Sequence, residues 1–104
     1  MLLNCDDTTS EGEFQSEVIK LFESQGYKCY HTHDSRKSQA GFPDLVLVNK
    51  EKGRLVIAEL KSKKGKCSDA QADWLEALDA VRVISVHVWR PGVDNDKIME
   101  VLQR

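Results

Sequence analysis

A chain of 104 residues with 40 % apolar and 31 % charged side chains has the composition of one folded domain, which excludes a disordered polypeptide. No apolar stretch approaches the ~20 residues of a membrane span, and residues 1–14 lack the basic start and apolar core of a signal peptide. We therefore expect a cytoplasmic protein with a single domain over residues 1–104, of which residues 1–9 are flexible. Although the formal net charge is −2, residues 36–66 carry nine basic and three acidic side chains, a local field that can attract a polyanion.

The first predicted helix covers residues 10–27. Ser10 is a suitable N-cap, Glu13 completes a capping box, and Gly26 is a suitable C-terminal stop. One stripe at helical spacing is apolar and predicts the buried face, and it consists of Phe14, Val18, Leu21 and Phe22.

The remaining pattern alternates strands with two more helices. Strands are predicted at residues 27–33, 44–48, 54–61 and 84–90. Helices are predicted at residues 68–81, with Trp74, Leu75 and Leu78 in the core, and at residues 94–103. The order αβββαβα gives an α/β fold with a mixed sheet flanked by helices. The first three strands form an antiparallel meander, and the helical crossover makes the last pair parallel.

Two acidic side chains lie on strands that otherwise look buried. With a four-residue turn at residues 50–53, Asn49 faces Arg54, and counting outward brings Asp44 opposite Glu59. Lys61 points to the same face as Glu59. Opposed carboxylates destabilise a sheet unless one takes a proton or both recruit a cation, and Mg²⁺ prefers such oxygen ligands. The alternative is an ordinary ion pair of Lys61 with either acid at the sheet edge.

Two further polar residues are candidates for the same site. Glu11 shares the core-facing stripe of the first helix, which favours a third oxygen ligand, although a glutamate at a helix start also suits the helix dipole. Gln71 occupies the capping-box position after Ser68, and its side chain could also reach the strand ends that carry the two acids.

The three cysteines fit neither a disulfide framework nor a paired metal motif, which favours a reducing compartment. Cys29, His31 and His33 alternate along the first strand. A zinc site there is an alternative to the simpler reading as surface residues.

The stretches "GFPD" and "ELK" resemble the PD-(D/E)XK nuclease signature, with Pro43-Asp44 followed by Glu59-Leu60-Lys61. The wider segments "SEGEFQSEVIKLFESQGY", "GFPDLVLV", "LVIAELKSKKGKCSDAQADWLEAL" and "VHVWRP" resemble the VRR-NUC branch of that superfamily. The resemblance runs from about residue 11 to residue 91. It implies a restriction-endonuclease-like αβββαβ core, followed here by a short C-terminal helix.

The resemblance also implies roles for these residues. Asp44, Glu59, the carbonyl of Leu60 and Glu11 would hold Mg²⁺ or Mn²⁺. Lys61 would orient or activate the attacking water, and Gln71 would stand beside the site. Basic and polar residues flanking the strand ends are candidate contacts to DNA phosphates, against the alternative of solvated loops; they are Arg36, Lys37, Ser38, Lys63, Lys64 and Lys66.

Stand-alone members of this type are typically viral homodimers that cut branched DNA. We therefore expect a metal-dependent endonuclease of the Holliday-junction-resolvase kind, in the cytoplasm of a host cell if the chain is viral, with no small-molecule cofactor. One alternative is a less selective nuclease acting on flaps or linear DNA. Another is a catalytically silent nucleic-acid-binding module on the same fold.

Overall fold

The structure, a computed structural model, describes residues 3–32 and 39–104. Within these ranges the predicted order of helices and strands is confirmed, with ends that shift by up to three residues. The elements are α1 (Glu11–Ser24), β1 (Lys28–His31), β2 (Leu45–Asn49), β3 (Arg54–Leu60), α2 (Asp69–Asp79), β4 (Ser85–Trp89) and α3 (Asn95–Gln103).

The four strands form one mixed sheet in the order β1-β2-β3-β4. The first three strands are antiparallel and β4 runs parallel to β3, as the crossover predicted. The β2–β3 register pairs Asn49 with Arg54 and Leu45 with Ala58, so the predicted hairpin register is confirmed. A slip of one residue would turn every side chain of a strand to the other face, so this register decides which acids meet.

One face of the sheet carries the hydrophobic core. The predicted stripe of α1 is buried there, and α3 adds Ile98, Val101 and Leu102. Trp89, at the end of β4, is 1 % exposed, and its ring stacks on Phe22 at a centroid distance of 5.8 Å. Each such fully buried large side chain stabilises the fold by roughly 1.5–3 kcal/mol.

The opposite face is less completely covered. Contrary to the expectation that Trp74, Leu75 and Leu78 are core residues, α2 has no buried residue, and these three side chains are half-buried. The physical reason is that α2 packs along β4 at one edge of the sheet, which leaves part of its apolar stripe open. On the same face of the sheet, Tyr30 and Val48 are exposed.

The segment before α1, expected to be flexible, has specific packing partners from residue 3 onward. Leu3 belongs to the buried core, and the Asn95 side-chain amide donates hydrogen bonds to the carbonyl oxygens of Leu3 and Cys5. The backbone of residues 6–7 passes so close to Gly92 that a Cβ there would lie 2.9 Å from the Asp7 nitrogen. Within the described residues, no helix has both the length and the apolar character to cross a membrane.

Candidate active site

Asp44 and Glu59 meet at the end of the β2–β3 hairpin. Asp44 directly precedes β2, and the register places it beside Glu59 of β3. The Asp44 N–H donates to Glu59 Oε1 at 3.2 Å, and Asp44 Oδ2 accepts from the Leu60 N–H at 2.9 Å. The two acidic side chains are therefore held together by the backbone N–H groups of Asp44 and Leu60.

Glu59 is 1 % exposed and is among the largest fully buried side chains of the domain. Burial and, after it, the negative charge of Asp44 together raise the pKa of the Glu59 carboxyl to about 7, although Lys61 acts in the opposite direction. Glu59 is therefore partly protonated at neutral pH even beside Lys61, and a further cation at the site would favour the ionised form.

Lys61 and Gln71 complete a network around Glu59. Lys61 Nζ lies 3.3 Å from Glu59 Oε2 and donates to Gln71 Oε1 at 2.8 Å. Gln71 Nε2 in turn donates to Glu59 Oε2 at 2.7 Å. The network joins β3 to the first turn of α2 through three polar side chains.

Gln71 has both of the roles that the sequence left open. Its Oε1 also accepts from the Ser68 N–H at 2.8 Å, while the Ser68 hydroxyl accepts from the Gln71 N–H, which completes a capping box. Since the same oxygen accepts from Lys61, the start of α2 and the lysine ammonium are fixed by one side chain.

Glu11, the candidate third ligand, lies at the same end of β3 but is engaged elsewhere. Its Oε1 accepts from the Ser62 N–H at 2.9 Å. In residues 3–32 and 39–104, no three His, Cys, Asp or Glu side chains are grouped closely enough to hold a metal ion. The structure thus brings together two of the three expected carboxylates, and Glu11 would have to leave Ser62 to join them.

The two carboxylates nevertheless fit a divalent cation. Each ionised carboxylate has about four acceptor positions, of which the hydrogen bonds described above use only some. A hard cation with oxygen ligands would also offset the repulsion that raises the Glu59 pKa. The donor set is oxygen-rich, which suits Mg²⁺ or Mn²⁺ rather than a thiophilic metal.

The candidate phosphate contacts fall into two groups. Arg36, Lys37 and Ser38 lie outside the described residues. Lys64 and Lys66 are exposed on the loop that follows β3, and Lys63 on the same loop contacts Asp7, with its Nζ 2.6 Å from Asp7 Oδ2. That contact raises the pKa of the Lys63 ammonium, chiefly through the hydrogen bond.

The zinc alternative gains no support from the described residues. Burial raises the pKa of the Cys29 thiol to about 11, so the thiolate that zinc requires is disfavoured. His31 lies on the same strand, and His33 is outside the described residues.

Sequence reasoning missed two residues that shape the site. Arg90, just after β4, donates from Nη2 to the Gly65 carbonyl at 2.7 Å. This hydrogen bond fixes the lysine-rich loop that follows β3, residues 62–66. Gly41 packs against the start of α2, where an added Cβ would lie 2.6 Å from the Ala70 carbonyl carbon. The positive φ of 90° at Gly41 favours glycine at this position. The sequence signal for such a turn is the glycine that stands just before Phe42 and Pro43.

Comparisons with known proteins identify the family and the fold of the chain. Residues 5–89 match the family model described as the VRR-NUC domain. Over 47 residues the chain is 38 % identical to the Fanconi-associated nuclease 1 homolog of Schizosaccharomyces pombe (strain 972 / ATCC 24843). That match covers 45 % of this chain and 7 % of the relative, so the chain spans only a small part of that protein.

Two solved structures share the fold. One, titled "VRR_NUC domain", has a TM-score of 0.73 at 24 % identity and covers 89 % of this chain and 97 % of its own. The other, titled "VRR_NUC domain protein", has a TM-score of 0.65 at 23 % identity, covering 91 % and 86 %. At these identities the two solved structures show that the fold is shared. The family model matches most of the chain and therefore shows the family. The chain belongs to the VRR-NUC domain family, a family of nuclease domains.

Proposed function

We propose that the protein is a metal-dependent, structure-selective DNA endonuclease that hydrolyses phosphodiester bonds in branched DNA, including four-way junctions. The observation that carries the proposal is the buried Glu59 beside Asp44, with Lys61 and Gln71 bonded around it. A buried acid next to a second acid costs stability, and a nuclease site is a sufficient reason to keep that arrangement in so small a domain.

Asp44 and Glu59 would hold Mg²⁺ or Mn²⁺, with the carbonyl of Leu60 and the carboxylate of Glu11 as further ligands. When bound, such a cation lowers the pKa of a coordinated water and polarises the phosphoryl oxygen. The buried position of Glu59 excludes water from one side of the site, which strengthens each electrostatic contact there.

Lys61 is the residue that would face the attacking water or the scissile phosphate. Its ammonium is already fixed between Glu59 Oε2 and Gln71 Oε1, so it needs little reorganisation when charge develops on the phosphate. Gln71 keeps Lys61 in place and donates to Glu59, which makes it a positioning residue in this scheme. Lys63, Lys64 and Lys66 would contact neighbouring phosphates and orient the DNA without reading its sequence.

We also infer a homodimer, because two sites related by a two-fold axis could cut two strands of a symmetric junction. The incompletely covered face of the sheet supports this. Val83 is 87 % exposed there and lines a shallow groove together with Val48, Leu55 and the basic Lys50. A second groove beside β4 is lined by apolar residues together with the acidic Glu76 and Asp79.

A two-fold axis through this face would bring the basic groove of one protomer against the acidic groove of its partner. Such an arrangement buries apolar side chains at the centre and pairs opposite charges at the rim, as stable interfaces do. Val83→Asp should therefore convert a dimer to a monomer in sedimentation analysis. The exposed Val93 lies between β4 and α3, so Val93→Asp serves as the control.

The activity is tested by incubating the protein with labelled four-way junctions, flaps and linear duplexes in Mg²⁺, Mn²⁺ or EDTA. We expect metal-dependent cleavage that is fastest on the branched substrates, and a loss of about a hundred-fold or more in Glu59→Gln and Lys61→Ala. Glu51→Gln, an exposed glutamate in the hairpin turn, is the matched control.

Each outcome discriminates between the alternatives. Equal cleavage of all three substrates would indicate the less selective nuclease. Binding without cleavage at any metal concentration would indicate a silent module. If Glu59→Gln cut junctions as fast as the wild type, the site assignment would be wrong.

A further inference from the structure

The N-terminal segment, residues 3–9, places an acidic side chain directly on the basic loop of residues 62–66. Lys63 Nζ is 2.6 Å from Asp7 Oδ2, a charge-assisted hydrogen bond. This loop follows Lys61, and its backbone also contacts Glu11 through the Ser62 N–H. Asp7 therefore binds a cation that lies two residues from the candidate catalytic lysine.

The position of Asp7 is built by packing and does not depend on the ion pair alone. Leu3 is buried in the core, and the Asn95 amide donates hydrogen bonds to the carbonyls of Leu3 and Cys5. Gly92 leaves the space through which residues 6–7 pass. Because residues 3–5 are bonded to Asn95 and the segment leads into α1 at Glu11, the Asp7 carboxylate is presented to Lys63 at a defined place on the molecule.

The pair is also accessible. The Lys63 side chain is 52 % exposed and that of Asp7 is 46 % exposed, so a ligand can reach the ammonium group from solvent. Water screens an ion pair at such a place, and pairs of this kind change an equilibrium by at most about five-fold. A phosphate diester could thus replace the carboxylate at little cost, since both are anionic oxygen acceptors.

We propose that Asp7 is an intramolecular competitor of a DNA phosphate for the ammonium group of Lys63. Without DNA, Asp7 neutralises Lys63. When the DNA backbone binds, a phosphate oxygen displaces the carboxylate, which returns to water. Asp7 therefore lowers the affinity of the basic loop for nucleic acid, and most strongly at low salt, where the ion pair is least screened. The inference rests on the proposed function, because it assumes that DNA reaches this loop.

The test measures binding of a labelled four-way junction in EDTA, where the expected reaction does not proceed, over a range of salt concentrations. Asp7→Asn removes the negative charge beside Lys63. Asp6→Asn removes the same charge one residue away. The Asp6 carboxylate instead accepts from the Thr8 N–H and hydroxyl, contacts that the asparagine side-chain oxygen can still accept. Lys63→Gln and the double variant Asp7→Asn/Lys63→Gln complete the cycle.

We expect Asp7→Asn to bind the junction up to about five-fold more tightly than Asp6→Asn. The slope of log K against log salt should also become steeper, because only the wild type must break an ion pair that salt itself weakens. In the Lys63→Gln background, Asp7→Asn should have no effect. A merely structural role for Asp7 would give the opposite result, with weaker binding and lower stability.

Two results would overturn the inference alone: equal affinities and salt slopes for the two asparagine variants, or an Asp7→Asn effect that persists without Lys63. In either case a wild type that binds and cuts junctions would leave the proposed function intact. A wild type that binds no DNA would overturn the proposed function and this inference with it.

Discussion

Gly41 connects the two halves of the candidate site, and Gly41→Ala should damage both stability and cleavage. The loop that carries Gly41 leads into Asp44, and it packs on the first turn of α2, which carries Gln71. A Cβ at position 41 would lie 2.6 Å from the carbonyl carbon and 2.7 Å from the carbonyl oxygen of Ala70. Real Cβ atoms do not approach backbone atoms so closely, so either the loop or the start of α2 must move.

Two costs add in this variant. The φ of 90° at Gly41 places an alanine in a strained left-handed conformation, which costs roughly 1–2 kcal/mol. Relieving the overlap with Ala70 costs roughly another 1–3 kcal/mol, as in other overpacked sites. Gly53→Ala is a matched control, because Gly53 has a φ of 60° but nothing within 4 Å of an added Cβ. The control should therefore show only the first cost.

The assay is urea unfolding of both variants together with junction cleavage in Mn²⁺. We expect Gly41→Ala to lose about 1–3 kcal/mol more stability than Gly53→Ala, the share that comes from overlap. Cleavage should fall in Gly41→Ala alone, because displacement of α2 separates Gln71 from Lys61. If the two alanine variants had equal stability and equal rates, the close approach of Gly41 to α2 would not matter, and the reasoning would be refuted.

Three further predictions concern the polar network. Because the folded-state pKa of Glu59 is raised to about 7, its contribution to stability is complete below the ordinary value of 4.5 and is lost as the pH rises through 7. Urea unfolding in EDTA should therefore show that the stability of the wild type falls relative to that of Glu59→Gln between pH 4.5 and 8. The difference in stability between the wild type and Glu51→Gln should stay constant over the same range. If the curves of stability against pH were parallel for all three proteins, the raised pKa would be contradicted. Mn²⁺ should raise the midpoint of thermal unfolding more at pH 8 than at pH 5, since an ionised carboxylate is the better ligand, and an equal shift at both values would count against a carboxylate site. Gln71→Ala should slow junction cleavage at least about ten-fold, whereas Ser68→Ala should cost about 1 kcal/mol of stability with little change in rate, and similar rates for the two variants would reduce Gln71 to a helix cap.

Local rules were sufficient to predict the hairpin and therefore the meeting of Asp44 with Glu59. A four-residue turn fixes the register, and the register fixes every pair along both strands. The stripe of α1 was predictable for a similar reason, since helical spacing alone selects Phe14 and its neighbours as the buried face.

Features that depend on long-range packing were not predictable. An apolar stripe on α2 suggested core residues, but periodicity does not say how much of a helix the rest of the chain covers, and Trp74 is only half-buried. The placement of Glu11 likewise depends on where the loop after β3 runs, and its carboxylate meets the Ser62 N–H instead of the other acids. The pairing of Asp7 with Lys63 joins residues 56 positions apart, which no local pattern encodes.

The hairpin turn at residues 50–53 lies at the far end of β3 from the candidate site. Six residues separate Gly53 from Glu59, and at about 3.3 Å per residue they span about 20 Å. The turn is exposed, with open space around Gly53. A fluorophore attached at position 51, which does not line the groove assigned to the dimer interface, would lie well away from the candidate site and could report on the protein bound to a junction in single-molecule measurements.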